Sequence, residues 1–126
     1  MSHLQIAKNV LRFESEQMLK TMEKLDDTFD DAVHAILAAK GKIVVCGIGK
    51  SGAVAQKITA TLCSTGTPAV FLHAAEAAHG DLGVYADGDP ILMISKSGTT
   101  EEMLRIIPFF KQANSPVIAI VGNLNS

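Results

Sequence analysis

The chain has 126 residues, enough for one domain with a real core but few for a complete doubly wound α/β sheet. Its net charge is −2 with both signs interspersed, 48% of its residues are hydrophobic and Trp is absent, which excludes the basic patch of a nucleic-acid or acidic-membrane binder. No apolar run approaches the roughly 18 residues that span a bilayer, and Lys8, Arg12, Glu14 and Glu16 break up the amino-terminal apolar positions, unlike a secretory leader.

Leu4, Ala7, Val10, Leu11, Met18, Leu19, Met22 and Leu25 recur at helical spacing, so residues 3–25 read as an amphipathic helix. A second helix over 29–39 carries Phe29, Val33, Ile36 and Leu37 on one face, and Gly41 is expected to end it. Two roles stay open for these leading helices, a lid on the domain or an oligomer arm. Residues 42–46 form a short apolar strand, and 51–64 its helix. A turn at 64–68 leads to a second strand at 69–72, and residues 73–83 make a short helix and a loop. A third strand covers 90–95. A helix over 97–112 is expected to be interrupted or re-angled at Pro108, which cannot donate to the helical ladder. Residues 117–121 form a fourth strand. Cys46 and Cys63 lack ligand spacing and read as core residues, which fits a reducing cytoplasm.

Strands alternating with helices predict a parallel sheet wrapped on both faces, an α/β three-layer sandwich. Its order is expected to be flavodoxin-like, with four strands present, a fifth missing and two helices in front. Residues 1–40 would hold the leading helices and 41–126 a partial ligand-binding domain. The chain stops just after a strand, so it reads as a domain cut short.

The stretch Gly47-Ile48-Gly49-Lys50-Ser51-Gly52 follows the first strand and opens a helix. Its glycines allow close backbone approach, and unpaired N–H groups at a helix start favour an anion. Lys50 adds a charge there and Ser51 a hydroxyl. The spacing also satisfies the dinucleotide fingerprint, but the second strand ends Phe71-Leu72-His73 without the acid that a ribose needs. A Walker A loop would need glycine at position 44, which is Val44. A purely structural glycine turn stays open.

Ser95-Lys96-Ser97-Gly98-Thr99-Thr100-Glu101-Glu102 leaves the third strand. Hydroxyls, a glycine and a helix start make a phosphate cradle, although Thr99 and Glu102 also fit a capping box. In the 2-1-3 strand order the first and third strands are neighbours, so both loops would face one crevice at their carboxyl ends.

With G-K-S-G at 49–52, S-T-G-T-P at 64–68, E-A-A-H-G-D-L-G at 76–83 and S-x-S-G-x-x-x-E at 95–102, the sequence resembles the sugar isomerase (SIS) domain, and more narrowly the arabinose 5-phosphate isomerase family. That family interconverts ribulose 5-phosphate and arabinose 5-phosphate for Kdo synthesis. The likeness runs from about Gly41 to Gly122. It implies that Ser95, Ser97 and Thr100, with Gly98 between them, hold the sugar phosphate, and that Lys50, His79 and Glu102 are the active-site lysine, loop histidine and catalytic glutamate. Gly49, Ser51 and Thr99 join the binding loops, with His73 and Glu76 as pocket neighbours. It further implies a cytoplasmic homotetramer. Lys96 and Thr99 depart from the family's usual asparagine and glutamate, and the family's later histidine segment and paired CBS modules lie beyond residue 126.

Aldose–ketose isomerisation moves a proton between C1 and C2 through an enediolate, so it needs one base near both carbons and a cation near the oxygens. Glu102 is the candidate base, Lys50 the oxyanion stabiliser and His79 the hydroxyl proton shuttle. The expected ligand is a sugar phosphate, with no redox cofactor, metal, nucleic acid or membrane involved. The alternative is a non-catalytic SIS module that senses a sugar phosphate.

Overall fold

The computed structural model describes residues 1–77, 83 and 85–125, in two compact units, Met1–Val33 and His34–Ser126. In the first unit, α1 (His3–Lys24) starts at Ser2, whose hydroxyl accepts from the Gln5 N–H at 3.1 Å. None of its residues is buried, and Leu4, Leu11, Phe13, Met18, Leu19 and Met22 are each more than half exposed. The next helix, α2 (Asp27–Leu37), is preceded by Asp26, which accepts from the Thr28 hydroxyl at 2.5 Å and the Thr28 N–H at 3.0 Å. Those two bonds, the side-chain one first, hold the Asp26 carboxyl below its ordinary pKa. Gly41 does not end this helix, which stops at Leu37. A Cβ there would lie 2.6 Å from Asp89 Oδ1, so glycine serves a close side-chain approach.

The second unit runs β1 (Ile43–Gly47), α3 (Gly49–Ser64), β2 (Ala69–His73), α4 (Ala74–Ala77), β3 (Ile91–Ser95), α5 (Glu101–Gln112) and β4 (Val117–Val121). The strands form one parallel sheet in the order β2-β1-β3-β4, the expected flavodoxin-like arrangement. Every residue of β1 and β3 is buried, as both faces of these inner strands are covered.

Side chains alternate along β1 and so divide the core in two. Val44 and Cys46 join Leu72, Met93, Met103, Ile106 and Phe110 under α5 and α4. Ile43 and Val45 join Leu92, Ile94 and Ala55 under α3. Full burial of side chains such as Phe110 and Leu72 contributes about 2 kcal/mol each.

Two further expectations change. Helix α5 is continuous from Glu101 to Gln112 with Pro108 inside it. Met103 and Ile106 before the proline and Phe110 after it are all buried, so packing on both sides holds the helix across one lost hydrogen bond. Cys46 is buried as expected, but Cys63 is exposed, its thiol donating to the Ala69 carbonyl at 3.3 Å. Both are free, and burial pushes the Cys46 thiol up to about 12.

Candidate functional site

The crevice lies where β1 and β3, paired from Val44–Ile91 to Cys46–Met93, release their following loops. The first loop is tight for three separate backbone reasons. A Cβ on Gly47 would lie 2.7 Å from the Ser51 carbonyl oxygen, and one on Gly52 would lie 3.2 Å from the Gly47 carbonyl oxygen. Gly49 has φ of +61°, a left-handed conformation that favours glycine. Strand end and helix start are thus pressed together, so these glycines are required by the packing of α3 on β1. Ala55, fully buried one turn further on, continues that contact. Helix α3 begins at Gly49, two residues earlier than expected, which puts Lys50 and Ser51 in its first turn. No acid accompanies them in that turn, so the helix itself supplies no charge to offset its positive end.

The second loop is held by its own hydroxyls. Ser95 Oγ accepts from the Gly98 N–H at 3.0 Å, Ser97 Oγ from the Thr99 N–H at 3.1 Å, and Ser95 Oγ lies 3.4 Å from Thr100 Oγ1. Gly98 has φ of +71° and turns the chain into α5. The capping-box reading does not hold. The helix is capped at Thr100, and the Thr100 side chain makes no cap bond. Glu102 is therefore the second helical residue, one short of the position from which a capping-box glutamate reaches back. Glu101 instead pairs with Arg105 one turn on, while Glu102 is half-buried without a hydrogen-bond partner among the described residues.

Between the loops is a cavity of about 320 Å³ lined by Ile48, Ser51, Ile94, Ser95, Lys96, Ser97 and Thr100. Four hydroxyl-bearing residues and one lysine share this cavity with two isoleucines, and no acidic residue lines it among the described residues. Such a surface suits a tetrahedral oxyanion, to which hydroxyls, helix N–H groups and a cation all donate.

Of the residues expected from sequence, the cavity gathers Ser51, Ser95, Ser97 and Thr100. Gly49 and Lys50 adjoin Ser51, Gly98 and Thr99 complete the second loop, and Glu102 follows Thr100 by two residues, but none of these lines the cavity. His73 ends β2 opposite Gly47, packs edge-on to Phe71 at 6.2 Å and has a buried Nδ1 without a partner among the described residues. Glu76 is exposed on α4. His79 lies outside the described residues. Ile48, Ile94 and Lys96 are lining residues outside the expected binding set. The signal for Lys96 is its departure from the family's usual asparagine inside the serine loop, whereas nothing in the sequence marks the two isoleucines. Among the described residues no cluster of His, Cys, Asp and Glu could hold a metal ion, and no helix is long and apolar enough to cross a membrane.

The family model described as "SIS domain" matches residues 36–126. An arabinose 5-phosphate isomerase of Pseudomonas aeruginosa is 41% identical over 120 residues, 95% of this chain and 37% of the relative. Another from Escherichia coli K12 is 44% identical over 123 residues, 98% of this chain and 38% of the relative. The chain thus spans little more than a third of these relatives. Among solved structures, the c3406 protein of Escherichia coli CFT073 in complex with arabinose 5-phosphate superposes with a TM-score of 0.84 at 34% identity, over all of this chain and 69% of that one. With the match covering 36–126 and the fold reproduced, the chain belongs to the SIS domain family.

Proposed function

We propose that this chain carries the sugar-phosphate site of an aldose–ketose isomerase that interconverts D-ribulose 5-phosphate and D-arabinose 5-phosphate, in the cytoplasm, for Kdo or capsule synthesis. The observation that carries the reading is the cavity, with no acidic residue among the described ones, in which Ser51, Ser95, Ser97 and Thr100 meet at the ends of β1 and β3. Similarity to arabinose 5-phosphate isomerases supports the choice of pentose. In this reading the serine loop grips the phosphate. Glu102, at the start of α5 and half-buried, carries the proton between C1 and C2. Lys50, in the acid-free first turn of α3, stabilises the enediolate oxygen, and His79 shuttles the hydroxyl protons. Assembly as a homotetramer belongs to the same proposal, supported by the long exposed apolar stripe of α1.

The test is Glu102→Gln, assayed by NMR for interconversion of the two pentose phosphates with this chain and with any longer product of its gene. Turnover is expected to vanish while arabinose 5-phosphate affinity stays within about threefold, since only a transition-state interaction is removed. Wild-type turnover in the variant would mean that Glu102 is not the base. A second reading, a sugar-phosphate sensor without catalysis, is favoured by one observation: neither Lys50 nor Glu102 lines the cavity. Binding without turnover in the longest gene product would select it.

A further inference from the structure

The cavity is lined by a lysine that the roles above leave unused. Lys96 lies between Ser95 and Ser97 and lines the same cavity. Its backbone is fixed. The Lys96 carbonyl accepts from the Gly122 N–H at 2.9 Å, and a Cβ on Gly122 would lie only 2.6 Å from that oxygen. The root of the side chain is therefore locked against the end of β4, while the side chain itself is exposed and forms no ion pair among the described residues.

Its neighbours are committed differently. Ser97 uses acceptor capacity on the Thr99 N–H, so its hydroxyl proton remains to be donated, while the Ser95 hydroxyl accepts from the Gly98 N–H and shares a proton with the Thr100 hydroxyl. Glu101, the first acid along α5, is engaged by Arg105. Nothing on the cavity wall, among the described residues, neutralises the Lys96 ammonium. Hydroxyl donors respond to shape and lone pairs, whereas a flexible ammonium adds a point charge that weights the ligand's total charge.

We propose that Lys96 is a phosphate-contacting and specificity-determining residue, selecting a doubly charged phosphomonoester over singly charged groups of the same shape. The proposal rests on the sugar-phosphate reading of the crevice, but it concerns the anion rather than the sugar or the chemistry. A lysine that merely solubilises the loop would bind nothing and leave no salt signature.

The experiment is calorimetric titration of the 126-residue chain and its Lys96→Met and Lys96→Arg variants at pH 8. The probes are arabinose 5-phosphate, arabinose 5-sulfate and inorganic phosphate, each at low and high salt. Lys96→Met is expected to weaken both phosphates about tenfold, as a close cation–anion contact at a wet surface allows. It should weaken the singly charged sulfate far less and flatten the salt dependence. Lys96→Arg should stay within about threefold of wild type, since charge rather than fork geometry matters.

Wild-type phosphate affinity and salt dependence in Lys96→Met overturn the proposal, as does a Lys96→Arg variant as weak as Lys96→Met. If inorganic phosphate binds through Lys96 but arabinose 5-phosphate binds no tighter, the anion assignment stands and the sugar-phosphate reading falls. If no phosphate binds the wild-type chain, both fall.

Discussion

A single methyl group at Gly47 tests how the crevice is built. In Gly47→Ala the new Cβ would stand 2.7 Å from the Ser51 carbonyl oxygen, 2.8 Å from its carbon and 2.9 Å from the Gly52 nitrogen. All three are backbone atoms of the first turn of α3, so no side chain can swing aside. Ordinary contact begins near 3.4 Å, so the helix start must retreat about 0.7 Å from β1. Overpacking of this kind costs about 2 kcal/mol, which in a domain of this size lowers Tm by roughly 8 °C. Ile48 and Ser51 belong to the displaced loop and to the cavity wall. A binding constellation tolerates only about 0.5 Å, so arabinose 5-phosphate affinity should fall about tenfold. Gly49→Ala is the companion: it has φ of +61° but nothing within 4 Å of its Cβ, so it incurs only left-handed strain of about 1 kcal/mol. Differential scanning fluorimetry and calorimetric titration read both variants. If Gly47→Ala melts and binds like wild type, or is milder than Gly49→Ala, the tight seating of α3 on β1 is not what shapes the site.

The two thiols and one ion pair give further tests. At pH 8 iodoacetamide should label Cys63 alone in the native chain and both cysteines in urea, because burial holds the Cys46 thiol neutral up to about pH 12. The folded pKa of Cys46 is raised above its ordinary 9.0, so its contribution is complete below pH 9 and is lost as pH climbs towards 12. Urea midpoints should fall over that window, and less so in Cys46→Ala measured against its own neutral-pH value. Lys42→Met should cost about 2 kcal/mol in urea unfolding, less than a fully buried pair. Among the described residues it leaves the Asp89 side chain, 6% exposed, with the Ala86 N–H alone, but Lys42 was itself 32% exposed. A loss below about 0.5 kcal/mol would mark the pair as an ordinary surface contact.

The amino-acid order by itself determined the alternation of strands and helices, the parallel sheet and the two loops that carry the hydroxyls. Continuous apolar runs such as Ile43–Cys46 and Ile91–Ile94 can be buried only on both faces of a sheet, and glycine and serine clusters mark where those runs end. It misplaced what depends on packing. The start of α5 moved from Ser97 to Glu101 because the loop's hydroxyls bond their own backbone in place of a helical turn. Pro108 stayed inside a continuous helix because buried side chains flank it. Gly41, expected as a helix end, gives room to Asp89, and Gly122 gives room to the Lys96 carbonyl. The flavodoxin-like order expected from the alternation already made β1 and β3 neighbours and turned both loops towards one crevice. Only the tertiary structure decided which loop residues line it, Ser51, Ser95, Ser97 and Thr100 but not Lys50 or Glu102. That choice depends on how each helix start sits on its strand, and no local pattern encodes it.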